Sequence, residues 1–86
     1  MYFPKSIDNL EVRTAGNDVV VHDPAHGKVH VLNGTAAYVL QACDGKTSVD
    51  DIVTVLCDAT GADRSLVSQD VQKILQGFAS LNLIGT

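Results

Sequence analysis

Three histidines spaced four residues apart, His22, His26 and His30, have the widest chemical reach in this 86-residue chain. Imidazole can ligate a metal, move a proton or change charge near neutral pH. A metal site would need His22 and His30 brought together across a hairpin, with Asp23 as the local candidate for a third donor. Two imidazoles and one carboxylate form an incomplete set, so the reading is exposed strand histidines and no metal. Cys43 and Cys57 stand too far apart for a CxxC redox pair and lack the further cysteines of a zinc site. Both occupy apolar helical positions and read as small buried hydrophobes. Asp50-Asp51 is a charge pair at a helix start, and Thr47-Ser48 precedes it as a cap. The sequence has no nucleophile elbow, glycine-rich phosphate loop or convergent acid/base pair. The expectation is a protein that is not an enzyme and needs no cofactor.

These side chains ride on two kinds of element. Leu10-Glu11-Val12-Arg13-Thr14 alternates apolar and polar residues, Asn17-Asp18 supplies turn chemistry, and Val19-Val20-Val21-His22 is a β-branched run. After a second turn at Asp23-Pro24-Ala25-His26-Gly27, Lys28-Val29-His30-Val31-Leu32 alternates again, giving a three-stranded meander. Placing Val19 and Val21 on the core face with Val29 and Val31 pairs Val21 with Val31 and sets His22 opposite His30 on the outer face. That register leaves Ala25-His26-Gly27 as a three-residue loop, with Gly27 where positive φ is needed.

The remainder has helical periodicity. Asn33 is placed to cap a first helix carrying Ala36, Ala37, Leu40 and Cys43, which Gly45 stops. Ser48 caps a second, with Asp50 and Asp51 in the dipole-favoured first turn and Val49, Ile52, Val53 and Leu56 along one face; Gly61 is its exit. A third runs from about Asp63 to Leu81 with Val67, Val71, Ile74, Leu75 and Phe78 on one side. Leu83 and Ile84 then turn back onto the core. Strands followed by helices indicate an α+β fold, a three-stranded antiparallel meander and then a three-helix, winged-helix-like bundle.

Composition narrows the function. At 45% hydrophobic and 19% charged residues, the chain is in the ordinary globular range. A chain of this size buries only about two-thirds of its unfolded surface, so the core is small. One domain over residues 10–86, preceded by an extended and partly ordered lead-in over 1–9, accounts for the whole sequence. The N-terminus has no signal-peptide pattern and no apolar run reaches membrane-spanning length, which gives a cytoplasmic expectation with no membrane partner. A net charge of -4 argues against nucleic acid, whose binders concentrate Lys and Arg. A mildly basic or apolar peptide fits better.

One combination is more specific. Val31-Leu32-Asn33-Gly34-Thr35-Ala36-Ala37, Asp44-Gly45, Ser48-Val49-Asp50-Asp51-Ile52-Val53, Asp70-Val71 and Leu83-Ile84, in this order over residues 10–84, resemble the PqqD-like family of peptide-recognition domains. Asn82 stands where many relatives carry Gly, and the three histidines are no part of the family pattern. The resemblance implies a standalone peptide chaperone that binds the leader of a ribosomally synthesised precursor for a modifying enzyme, such as a radical SAM maturase or a leader peptidase. It does not separate pyrroloquinoline quinone synthesis from lasso-peptide or other natural-product pathways.

The same resemblance implies the binding mode, with the leader adding as a strand to the third strand of the meander and lying against the third helix. The candidate site is therefore Lys28, Val29, His30, Val31 and Leu32 for backbone pairing, Val29, Val31, Val67, Val71 and Ile74 for apolar walls, and Asp70 and Lys73 at the rim. Val67, Val71 and Ile74 could equally be plain core, whereas Leu75 and Phe78 are expected to be fully buried. The chain would act as a monomer or weak dimer. A winged-helix nucleic-acid-binding regulator is the alternative, with Arg64 and Lys73 the only cations on its third helix.

Overall fold

Backbone hydrogen bonding divides residues 3–85, which the computed structural model describes, into five strands and three helices. They are β1 (Lys5–Ser6), β2 (Glu11–Ala15), β3 (Asp18–Asp23), β4 (Lys28–Leu32), α1 (Gly34–Ala42), α2 (Val49–Thr60), α3 (Arg64–Ser80) and β5 (Ile84–Gly85). The meander forms an antiparallel sheet in the order β2-β3-β4, so β4 is the third strand of the sequence reading. The three helices follow it, which makes the domain α+β. No helix among the described residues is long and apolar enough to cross a membrane.

Local chemistry fixes each helix start. Asn33 Oδ1 accepts from the Ala36 amide at 2.8 Å to open α1, Ser48 Oγ accepts from Asp51 at 3.1 Å to open α2, and Asp63 caps α3 through Ser65. Each cap satisfies an otherwise orphaned N–H. Gly61, at φ 70°, closes α2 in the left-handed region that suits glycine. Asn82 also sits there, at φ 59°. Asparagine tolerates that conformation better than most side chains, so the tight turn forms without glycine. The turn sends Leu83 back to donate to Phe78 O at 2.9 Å.

The core gathers Val21 and Leu32 from the sheet, Val39 and Leu40 from α1, Ile52, Val53 and Leu56 from α2, Val71, Leu75 and Phe78 from α3, and Leu83 and Ile84 from the tail. Each large aliphatic side chain removed from water stabilises the fold by about 1.5–3 kcal/mol. The lead-in contributes more than the sequence suggests. Within it Met1 and Tyr2 lie outside the described residues, but Pro4 is buried and β1 pairs antiparallel with β5. Ser6 donates to Cys43 O at 2.8 Å and Ile7 to Leu83 O at 2.9 Å. This segment ties the tail to the end of α1.

The β3–β4 hairpin corrects the expected register by one residue. Val21 faces His30, Val20 faces Val31, His22 faces Val29, and Asp23 faces Lys28. Val29 and Val31 consequently lie on the outer face, 61% and 65% exposed, while Leu32 is buried beside Val21. The connection is the four residues 24–27, with Gly27 at φ 63°. Its chemistry explains the register: the buried Asp23 carboxylate accepts from the His26 amide at 3.3 Å and from His26 Nδ1 at 2.6 Å. Turning Asp23 inward to make these bonds places Val21 and Val19, two and four residues before it, on the same covered face.

Candidate functional site

The sheet has two open edges, β2 and β4, and only β4 leads straight into a helix. Its last residue, Leu32, precedes the α1 cap, so the strand edge continues into Asn33, Thr35 and Ala36. These three line a depression of about 330 Å³ with Asp70, Lys73 and Ile74 of α3. A second, smaller depression of about 150 Å³ shares Thr35 and Asp70 with it and runs on to Leu56, Thr60, Ala62, Val67 and Val71. Together they form a groove between the first turn of α1 and one flank of α3.

The structure thus brings Asp70, Lys73 and Ile74 together at the end of β4. Val71 is fully buried and Val67 nearly so; both are core side chains whose edges reach the groove floor. Leu75 and Phe78 are buried, in line with the sequence reading. The apolar walls assigned to Val29 and Val31 are corrected by the register: these side chains face outward, and His30 and Leu32 take the inner face. Lys28 is exposed beside the turn. Asn33, expected as a cap, and Ala36, expected along the first helix, line the groove as well, and Thr35 joins them. Leu66, which is 59% exposed, lies at i-4 from Asp70 on the same helical face and could have been found from that spacing.

The shifted register also separates the histidines. His22 is on the outer face, where its Nδ1 donates to Glu11 Oε2 across the β2–β3 pair at 3.0 Å. His26 is held by Asp23 in the turn. His30 points inward, and its Nε2 is sealed from solvent with no hydrogen-bond partner among the described residues. The expected approach of His22 and His30 on one face does not occur, and among the described residues no three His, Cys, Asp or Glu side chains gather as a metal set.

Charge around these groups follows from their partners. The His22 hydrogen bond, and then its charge, hold the Glu11 carboxyl below its ordinary range. Burial pushes Asp23 upward, but the side-chain and backbone bonds from His26 outweigh it and the carboxyl is held below the usual value. Asp44 is lowered by the Lys46 amide, with further help from Thr47. Cys43, whose thiol donates to Val39 O at 3.1 Å, is driven by burial, then by the Asp44 charge, up to about 11. A thiol so protonated is a poor nucleophile at neutral pH. On α3, Arg64 is occupied by Thr54 Oγ1 at 2.9 Å and the Asp50 carbonyl at 3.4 Å. That commits one of the two cations of this helix to α2 and leaves little positive charge for a phosphate backbone.

Comparison with known proteins matches residues 18–84 to the family of coenzyme PQQ synthesis protein D (PqqD). A PqqA binding protein from Gluconobacter oxydans (strain 621H) is 32% identical over 59 residues, which cover 69% of this chain and 62% of that relative's length. Among solved structures, lasso peptide synthetase B1 complexed with the leader peptide superposes with a TM-score of 0.84 at 18% identity, over 99% of this chain and 100% of the other. The solution structure of the PqqD truncation of Methylobacterium extorquens PqqCD, a stand-alone recognition element for ribosomally synthesised and post-translationally modified peptides, gives 0.81 at 24% identity, over 96% and 88%. At these identities the two structural likenesses establish the fold.

Proposed function

This chain belongs to the PqqD family, and from that premise we propose that it binds the leader segment of a ribosomally synthesised precursor peptide and presents it to a modifying enzyme. The leader adds as a strand along β4 and lies in the groove against α3. The protein performs no bond-making step itself; it concentrates and orients the peptide, turning a weak encounter with the enzyme into an effectively intramolecular one. The observation that carries this reading is the open edge of β4 running without a break into the groove lined by Asp70, Lys73 and Ile74.

Magnitudes show why both parts are needed. Each backbone hydrogen bond contributes a net of about 0.5–1.5 kcal/mol, while ordering a flexible leader costs about 2–5 kcal/mol. A few main-chain bonds along β4 barely exceed that cost. The surplus must come from apolar leader side chains entering the groove, where Ile74 is half-buried and can lose its remaining exposure on binding. Specificity then resides in the groove, since any extended peptide can offer a backbone.

Isothermal titration with synthetic PqqA, the peptide for which the Gluconobacter oxydans relative is named, tests the reading. One-to-one binding is expected, together with NMR shifts of the β4 amides. Absence of both would overturn it.

A further inference from the structure

The groove beside α3 is chemically uneven along its length. Its larger depression, next to the end of β4, is bordered by Asn33, Thr35 and Lys73, whereas the smaller one is floored by Leu56, Val67 and Val71. These three side chains are buried in the core and show only their edges. Thr60, on the rim, has its hydroxyl occupied: it donates to Leu56 O at 2.7 Å and accepts from the Ala62 amide at 3.3 Å. An apolar depression of about 150 Å³ matches a cavity that takes up benzene, so it suits one aliphatic or phenyl side chain.

Asp70 is the one residue of α3 that borders both depressions. It is exposed and enters no ion pair among the described residues, where both ion pairs join a histidine to a carboxylate elsewhere in the fold. Lys73 borders only the larger depression and does not pair with it. The smaller depression therefore has a single charged group on its lining, and that group is negative. Distances along α3 suit an extended occupant. Ile74 and Val67 are seven residues apart, about 10 Å along the helix axis, which an extended chain covers in about three residues. Side chains two positions apart on such a chain share a face, so one can enter the smaller depression while the next stands at Asp70.

We propose that the groove selects a leader carrying an apolar side chain for the smaller depression and, two positions away, a lysine or arginine that pairs with Asp70. This rests on the peptide-binding reading and deepens it by naming the chemistry through which the leader is read. The track runs from the end of β4 toward the N-terminal end of α3, past Val67 to Ala62. A charge pair in open solvent contributes little, but an opposing charge placed at Asp70 is penalised. The carboxylate thus acts chiefly as a selector, and the apolar depression supplies the affinity.

Titration calorimetry with synthetic PqqA, and with PqqA peptides whose lysines and arginines are replaced one at a time by glutamine or glutamate, tests the proposal. Asp70→Asn is expected to keep the wild-type melting temperature and to weaken PqqA binding a few-fold. One glutamine peptide should bind the wild-type protein equally weakly and lose nothing further in Asp70→Asn, the mark of a shared pair. Asp70→Lys should weaken unmodified PqqA about tenfold and recover with glutamate at that same peptide position, a rescue that a merely structural role of Asp70 would not give. Ala62→Leu, which adds bulk to the smaller depression, should weaken binding about tenfold, while Ala59→Leu, exposed on α2 outside both depressions, leaves it unchanged. Unaltered affinity in Asp70→Asn, or no recovery in the charge swap, would overturn the cation pairing. Equal effects of Ala62→Leu and Ala59→Leu would overturn the apolar anchor. Failure of the wild-type protein to bind PqqA would instead overturn the underlying reading.

Discussion

The two edges of the sheet offer the same hydrogen-bonding capacity and differ in what stands beside them. Strand β2 presents five residues that are all exposed, next to a depression formed by residues 6–10 and 12 with Leu40 and Gln41. Strand β4 also has five residues, but it alternates exposed and covered positions and runs into the groove between α1 and α3. Open N–H and C=O groups alone would invite an extended peptide at either edge. On the proposed reading, the helical wall, with Ile74 half-buried and Asp70 and Lys73 at its rim, gives β4 the additional contacts that decide between them. The strand edge would then supply general affinity and the adjoining helix selectivity.

The comparison can be broken most severely from within the core. Phe78→Ala removes a nearly fully buried ring behind the groove wall and should cost about 3–5 kcal/mol in urea denaturation. Protection of amides at both edges should fall together, since the whole domain is weakened. Ile74→Ala should separate the edges instead: leader affinity falls about tenfold by titration calorimetry, whereas folding stability changes by only about 1 kcal/mol.

The two His–carboxylate pairs sharpen the contrast at a lower level. Asp23 is buried in the β3–β4 turn, whereas Glu11 and His22 form an exposed pair across β2 and β3. Asp23→Ala should lower the melting temperature clearly, and Glu11→Ala should leave it nearly unchanged, because exposed pairs are screened by solvent. The folded-state pKa of Asp23 lies below its ordinary value. Its stabilising contribution is therefore present above the unfolded carboxylate value of about 4 and is lost as pH falls through the lower folded value. Thermal melts across that acid range should show a steeper decline for wild type than for Asp23→Asn. The smallest effects should come from Val31→Thr on the outer face, which weakens the leader by no more than a few-fold through lost cross-strand packing, and from Thr14→Ala on β2, opposite Val19, which leaves binding unchanged.

Much of this arrangement is legible from residue chemistry. Asn33, Ser48 and Gly61 mark helix ends because their preferences are local, and the Ile52, Val53, Leu56 stripe carries the helical period. The β3–β4 register is not legible in the same way. Val19-Val20-Val21 is apolar at three successive positions and so fits either face, while the alternation of Val29 and Val31 suggests the wrong one. The decisive influence is the buried Asp23, whose turn bonds depend on the exact loop length. The β1–β5 pair has only two residues per strand and joins opposite ends of the chain, leaving no periodic pattern to read. For the candidate site, Asp70, Lys73 and Ile74 were accessible from family resemblance and helical spacing, but the contribution of Asn33, Thr35 and Ala36 emerges only when α1 is placed against α3.

Amide hydrogen exchange and chemical-shift mapping during titration with the leader peptide test the central claim most directly, because they read both edges in one experiment. Binding at β4 is expected to protect open-edge amides within residues 28–32 and shift Asp70, Lys73 and Ile74, with residues 11–15 unchanged. Protection along β2 with β4 and α3 unaffected would contradict it.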